Sequence, residues 1–180
     1  MKIIETSLKG LLIIEPQVFK DERGYFYESY NQEKFFKAGI RDIFVQDNQS
    51  LSQKNVVRGL HFQHPPYAQA KLVRVIKGSV YDVVVDIRKD SPTYGQSFGI
   101  ELTEENFLML YVPIGFAHGF ATLQDNTIFA YKCSAFYNKA SEDTILWNDP
   151  TLNIDWKVQS PILSEKDKQG KLFQHFRSPF

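Results

Sequence analysis

The stretch Val80-Tyr81-Asp82-Val83-Val84-Val85-Asp86-Ile87-Arg88 constrains the fold of this chain more than any other. A period of two places Tyr81, Val83, Val85 and Ile87 on one side of an extended backbone, and Asp82 and Asp86 on the other. Stretches of similar length recur at 11–19, 24–30, 44–52, 56–63, 71–77, 98–102, 107–112, 119–123 and 127–137. Turn residues punctuate them: Gly78, Ser91-Pro92-Thr93-Tyr94-Gly95, Pro113 to Gly115, and Asp125-Asn126. Two segments read as helix: 31–38, with Asn31 as cap and Gly39 as stop, and 164–168 behind Ser164. Many short strands with almost no helix predict an all-β, antiparallel sandwich or barrel that encloses a cavity between its sheets.

Composition narrows the function. A chain of 180 residues is the size of one domain, so 1–180 is expected to fold as a single unit. Lys plus Arg and Asp plus Glu number 21 each, which argues against a nucleic-acid partner but not against a small anionic ligand. One cysteine, Cys133, makes neither an intrachain disulfide nor a thiolate metal site. The longest apolar run, 107–112, is far short of the ~20 residues of a membrane span. The first residues show no cationic-then-apolar leader, and a cytoplasmic location is expected. The 15 Phe and 9 Tyr suit a packed core or the wall of a small-molecule cavity.

Polar residues inside strand-like runs carry the chemical information. Strict alternation puts Arg58 and His61 on opposite faces, but Gly59 between them could host a bulge that re-aims one of them. The plainer account is an outward Arg and a packed His. His61 and His64, three apart, would face opposite sides of a strand; with His118 distant and no Cys cluster, no metal site is expected. Lys71 shares parity with Val73 and Val75, while Leu72, Arg74 and Ile76 take the other face. Both faces carry aliphatics, so Lys71 reaches a cavity only if the valine face is the inner one. Tyr131 aligns with Phe129, Cys133 and Tyr137; its phenol is either a proton donor in a dry cavity or sheet packing. Gln46 and Asn48 share a face, as ligand-recognising amides or as an exposed edge. His118 sits in an apolar setting that also fits a buried structural histidine. Together these residues suit proton transfer at carbon without a cofactor, since no Ser-based triad spacing or Gly-rich phosphate loop accompanies them.

The ordered motifs resemble one family. They are Phe19-Lys20-Asp21-Glu22-Arg23-Gly24-Tyr25-Phe26-Tyr27-Glu28, Gln46-Asp47-Asn48-Gln49-Ser50, Arg58-Gly59-Leu60-His61-Phe62-Gln63 and Lys71-Leu72-Val73. Further along come Asp86-Ile87-Arg88, Pro113-Ile114-Gly115-Phe116-Ala117-His118-Gly119-Phe120, Trp147-Asn148-Asp149-Pro150 and Leu163-Ser164-Glu165-Lys166-Asp167. This set, spread over about residues 3–170, resembles the dTDP-4-dehydrorhamnose 3,5-epimerases.

The resemblance implies a cupin-type jelly roll and cofactor-free epimerisation at C3 and C5 of dTDP-4-dehydro-6-deoxyglucose, on the way to dTDP-rhamnose. It implies that His61 is the base, Asp167 its partner, Lys71 the stabiliser of the enolate and Tyr131 the acid on the opposite face. It further implies that Arg23, Glu28, Gln46, Asn48, Arg58, His118, Glu142 and Lys166 line the nucleotide-sugar site, with Tyr137 stacked on thymine. A homodimer with exchanged N-terminal strands, in which Arg23 and Glu28 serve the neighbouring subunit, belongs to the same implication. Relatives that epimerise one carbon, or move the ketone from C4 to C3, use closely similar scaffolds. A non-catalytic nucleotide-sugar binding module is the alternative from another class.

Overall fold

The computed structural model describes residues 1–180. Its strands are β1 (Lys2–Glu5), β2 (Leu12–Glu15), β3 (Phe19–Asp21), β4 (Gly24–Phe26), β5 (Gln46–Ser52), β6 (Val57–Gln63) and β7 (Lys71–Lys77). They continue with β8 (Ser79–Asp86), β9 (Ser97–Thr103), β10 (Met109–Val112), β11 (Phe116–Thr122), β12 (Thr127–Cys133) and β13 (Glu142–Thr144). The α-helices are α1 (Gln32–Lys37) and α2 (Glu165–Lys168). Two antiparallel sheets face each other, a six-stranded one in the order β1-β2-β10-β7-β12-β5 and a five-stranded one in the order β13-β6-β11-β8-β9. Strands β3 and β4 form a separate hairpin.

Apolar side chains are buried in three layers. Between the sheets lie Val73 and Val75 of β7, Leu110 of β10, Phe129 of β12, Val80 and Val84 of β8, and Phe116 and Phe120 of β11. The far face of the five-stranded sheet, with Val57, Leu60, Phe62, Val83, Val85 and Ile87, is covered by Leu152, Trp156 and Phe176 from the C-terminal stretch. The far face of the six-stranded sheet, with Ile14, Leu72 and Met109, is covered by Phe35 of α1 and by Ile40. Each fully buried side chain of this size contributes about 1.5–3 kcal/mol relative to its exposed state.

The alternation expected for β8 holds, yet neither face meets water. Its aspartates are therefore buried and must be paired. Asp82 lies on the inter-sheet face beside His118. Burial pushes the Asp86 carboxyl up, but donors from Arg88, Ser91 and Thr93 outweigh it and bring the group down to about 2.

Several expected strands are shorter for local reasons. The run 11–19 is interrupted by Pro16, which has no N–H for a ladder, so β2 stops at Glu15 and β3 begins at Phe19. The run 107–112 starts only at Met109, because Phe107 is in the left-handed region with φ 57°. The runs 24–30 and 127–137 end early, at Phe26 and Cys133. Strands β1 and β13, of 4 and 3 residues, are too short for periodicity to reveal.

One irregularity positions the site. Along the β6–β11 ladder, His61 lies opposite His118, but Arg58 lies opposite Phe120. Strand β6 therefore carries one more residue than its partner, a bulge at Gly59-Leu60. Val57 and Leu60, three apart, consequently share the covered face, which leaves Arg58 and His61 on the other. Gly59 has φ +135°, and a Cβ there would stand 2.5 Å from the Gly119 Cα. Gly59→Ala is expected to destabilise the protein by roughly 2 kcal/mol or more, read as a lower urea midpoint at unchanged m; an unchanged midpoint would mean that the two backbones do not need this approach.

Candidate active site

A cavity of about 230 Å³ opens between the sheets, lined among others by Ser50, Arg58, His61, Lys71, His118, Phe120, Phe129, Tyr131 and Glu142. His61 and His118 come from the five-stranded sheet, Lys71 and Tyr131 from the six-stranded one. The open question of β7 parity is answered by packing: Val73 and Val75 belong to the inter-sheet layer and Leu72 to the outer one, so Lys71 is directed inward.

His61 Nε2 lies 2.5 Å from Asp167 Oδ1. The short helix α2 presents this carboxylate. Ser164 caps it, accepting the Asp167 N–H at 3.2 Å, and its hydroxyl donates to Oδ2 at 2.6 Å. The Gly59 N–H donates to Oδ1 at 3.3 Å, so the bulge that aims His61 also holds its partner. Burial pushes the Asp167 carboxyl up, but the hydrogen bonds from His61 and Ser164 outweigh it and hold the group below the usual carboxylate range. Burial pushes the His61 imidazole below its ordinary value, and Asp167 offsets this only in part. The imidazole is thus mainly neutral near pH 7.

The other polar groups are also withdrawn from water. His118 Nε2 lies 2.9 Å from Asp82 Oδ2, and burial raises the Asp82 carboxyl against the pull of His118. Burial lowers the Lys71 ammonium, opposed by Cys133, Asp82 and Glu142. Burial raises the Tyr131 phenol, with Arg58 and Asn48 acting the other way. Arg58 donates from Nε and Nη2 to Ser52 Oγ at 3.2 Å.

Beside this cavity the remaining expected residues form a connected set. Gln46 donates to Asn48 Oδ1 at 3.1 Å and accepts the Tyr137 N–H at 2.8 Å. The Tyr137 hydroxyl donates to Glu142 Oε2 at 3.0 Å, and Glu142 is ion-paired with Lys166. Arg23 and Glu28 lie elsewhere in the chain. Arg23 pairs with Asp21 on the β3–β4 hairpin at 2.5 Å, and Glu28 pairs with Lys34. His64 is also outside the cavity, 3.1 Å from Asp143, and no three His, Cys, Asp or Glu side chains are arranged to hold a metal ion. Ser50, Asp82 and Ser164 were not expected as site residues, although Ser164 was expected as a helix cap. The first two were available from parity, as Ser50 follows Gln46 and Asn48 and Asp82 precedes Val84.

Residues 5–175 match the family of the dTDP-4-dehydrorhamnose 3,5-epimerases. A curated relative of that name from Shigella flexneri is 53% identical over 174 residues, covering 96% of each chain. The chain belongs to the dTDP-4-dehydrorhamnose 3,5-epimerase family. Among solved structures, an epimerase of this name from Elizabethkingia anophelis is 52% identical, covers 97% of each chain and superposes with a TM-score of 0.92. A dTDP-6-deoxy-D-glucose-3,5-epimerase from Legionella pneumophila, solved with dTDP-4-keto-L-rhamnose, is 48% identical, with a TM-score of 0.94 over 98% of this chain and 94% of its own. The sandwich is thus the cupin-type jelly roll of these epimerases.

The pair geometry predicts a titration. In the free protein the His61 ring is expected to titrate below about 6.5 by NMR, and Asp167→Asn is expected to move it lower still, because the carboxylate that favours the imidazolium is gone. A midpoint that rises in Asp167→Asn would contradict this electrostatic account.

Proposed function

We propose that this cavity epimerises dTDP-4-dehydro-6-deoxy-D-glucose at C3 and C5 to give dTDP-4-dehydro-L-rhamnose, by removing and returning protons beside the C4 ketone. The observation that carries the reading is that His61 and Tyr131 line one cavity from opposite sheets, with Lys71 on the same wall as Tyr131. A C4 ketone acidifies the hydrogens on both neighbouring carbons, because either carbanion delocalises onto the same oxygen. One base and one cation at that oxygen therefore serve both positions.

His61 is the base. It is neutral near pH 7 because it is buried, and Asp167 orients the ring and stabilises the imidazolium that forms. Lys71 supports the enolate oxygen, where a cation in a low-dielectric site acts strongly. Tyr131 returns the proton from the far face, which inverts the centre. No hydride moves, so the chemistry calls for no nicotinamide.

Arg58, His118, Lys166, Gln46, Asn48 and Glu142 bind the nucleotide sugar, the cations answering the diphosphate through charge-assisted hydrogen bonds. Tyr137, 54% exposed, presents a ring on which thymine stacks. Residues 1–180 act as one cytoplasmic domain, and no helix in it is long and apolar enough to cross a membrane. The hairpin exposes Phe19, Tyr25 and Phe26 at 61%, 56% and 68%, a surface suited to a second copy of the chain. In such a homodimer with exchanged N-terminal strands, Arg23 and Glu28 complete the neighbouring site.

Incubation of the substrate in deuterated water should place deuterium at both C3 and C5. Label at one carbon would make this a mono-epimerase, a 3-keto product would make it a ketoisomerase, and no label would end the catalytic reading. His61→Ala should lower kcat by about 10³-fold or more while leaving dTDP affinity nearly unchanged. Tyr131→Phe should lose less and retain exchange at one carbon without net inversion. Light scattering at micromolar concentration should return the mass of a dimer.

A further inference from the structure

Ser50 Oγ is the one buried side-chain oxygen or nitrogen in the protein that meets no hydrogen-bonding partner. Its neighbours on the inward face of β5 are all engaged. Gln46 holds Asn48 and the Tyr137 N–H, Asn48 reaches Cys133 Sγ at 3.7 Å, and Ser52 receives the Arg58 guanidinium. Ser50 stands opposite Phe129 in the β5–β12 register, one inward position along from Asn48 opposite Tyr131. It lines the same cavity as His61, Lys71 and Tyr131.

A hydroxyl withdrawn from water without a partner is unfavourable and rare, and it calls for an explanation. Alanine would fit the same place without that cost. The hydroxyl therefore has a partner that arrives with the ligand, and the serine's single rotor lets it turn from the wall towards the cavity. The partner's chemistry follows from the surroundings. Cations are already supplied for charged oxygens, by Lys71 and Arg58. Across the strand from Ser50 stands Phe129, stacked on Phe120, and both rings line the cavity with it. A neutral group that both donates and accepts matches a neutral hydroxyl.

Resting on the epimerase reading above, we propose that Ser50 is a substrate-specificity residue whose hydroxyl exchanges a hydrogen bond with a ring hydroxyl of the hexose. That bond sets the position of the ring between His61 and Tyr131.

The test uses Ser50→Ala in the full-length protein. Calorimetry should show dTDP-glucose, an unreactive nucleotide sugar, binding about tenfold more weakly, with dTDP unaffected. The thermal midpoint should be unchanged or higher, since no hydrogen bond within the protein is lost. With the keto sugar, kcat/KM should fall about tenfold or more. Equal losses for dTDP and dTDP-glucose, no loss for either, or a lower midpoint accompanying the loss would overturn the proposal. The binding comparison does not depend on turnover. A wild-type protein that fails to exchange protons would therefore sink the epimerase reading while leaving the Ser50 contact to stand or fall on calorimetry.

Discussion

Gly59 and Gly119 meet backbone to backbone, and the site depends on that approach. A Cβ on Gly59 would stand 2.5 Å from the Gly119 Cα, and one on Gly119 would stand 2.7 Å from the Arg58 carbonyl oxygen. Without side chains at these two positions, β6 can carry its extra residue and still pair with β11. The bulge puts Arg58 beside His61 in the cavity and directs the Gly59 N–H at Asp167. A regular ladder would send one of those two side chains into the apolar layer under Trp156 and Phe176.

Around that bulge the protein buries charge in two differently supported pairs. Asp167 accepts from Ser164 and the Gly59 N–H besides meeting His61, and it stays below the usual carboxylate range. Asp82 meets His118 alone, and burial pushes it up. Depth of burial and the number of donors together make the difference: Asp82 is the more deeply buried and has one partner, whereas each hydrogen bond to ionised Asp167 offsets part of the cost of leaving water. A well-supported carboxylate beside a buried imidazole yields a base that is neutral and held in one orientation. The sheets also shelter Lys71 and Tyr131, so whatever charge develops in the cavity is met by groups already in place.

Much of this was legible in the order of residues. Period-two patterning located the strands of both sheets except β1 and β13, and Asn31 and Ser164 marked two helix starts that the structure keeps. The motif around Gln46, His61, Lys71 and His118 pointed to one cavity. Less legible were elements whose limits come from a single residue, such as Pro16 ending β2 or the left-handed Phe107 delaying β10. β8 was hard to read in another way. Its alternation separates Asp82 and Asp86 from Val83 and Val85 but does not say where either face lies, and in the middle of a layered structure both are buried.

By itself the sequence determined the all-β class, the rough positions of most strands and the stock of side chains available for proton transfer, because these follow from local periodicity and residue chemistry. Which face of β7 is interior, and whether Arg58 and His61 share a side, was decided by tertiary structure. Both depend on what packs across the sheet and on one added residue in a ladder, and neither is a property of any segment alone. The placement of Asp167 against His61 has the same origin: 106 residues separate them in sequence, and only the C-terminal chain folding back over the five-stranded sheet brings them together.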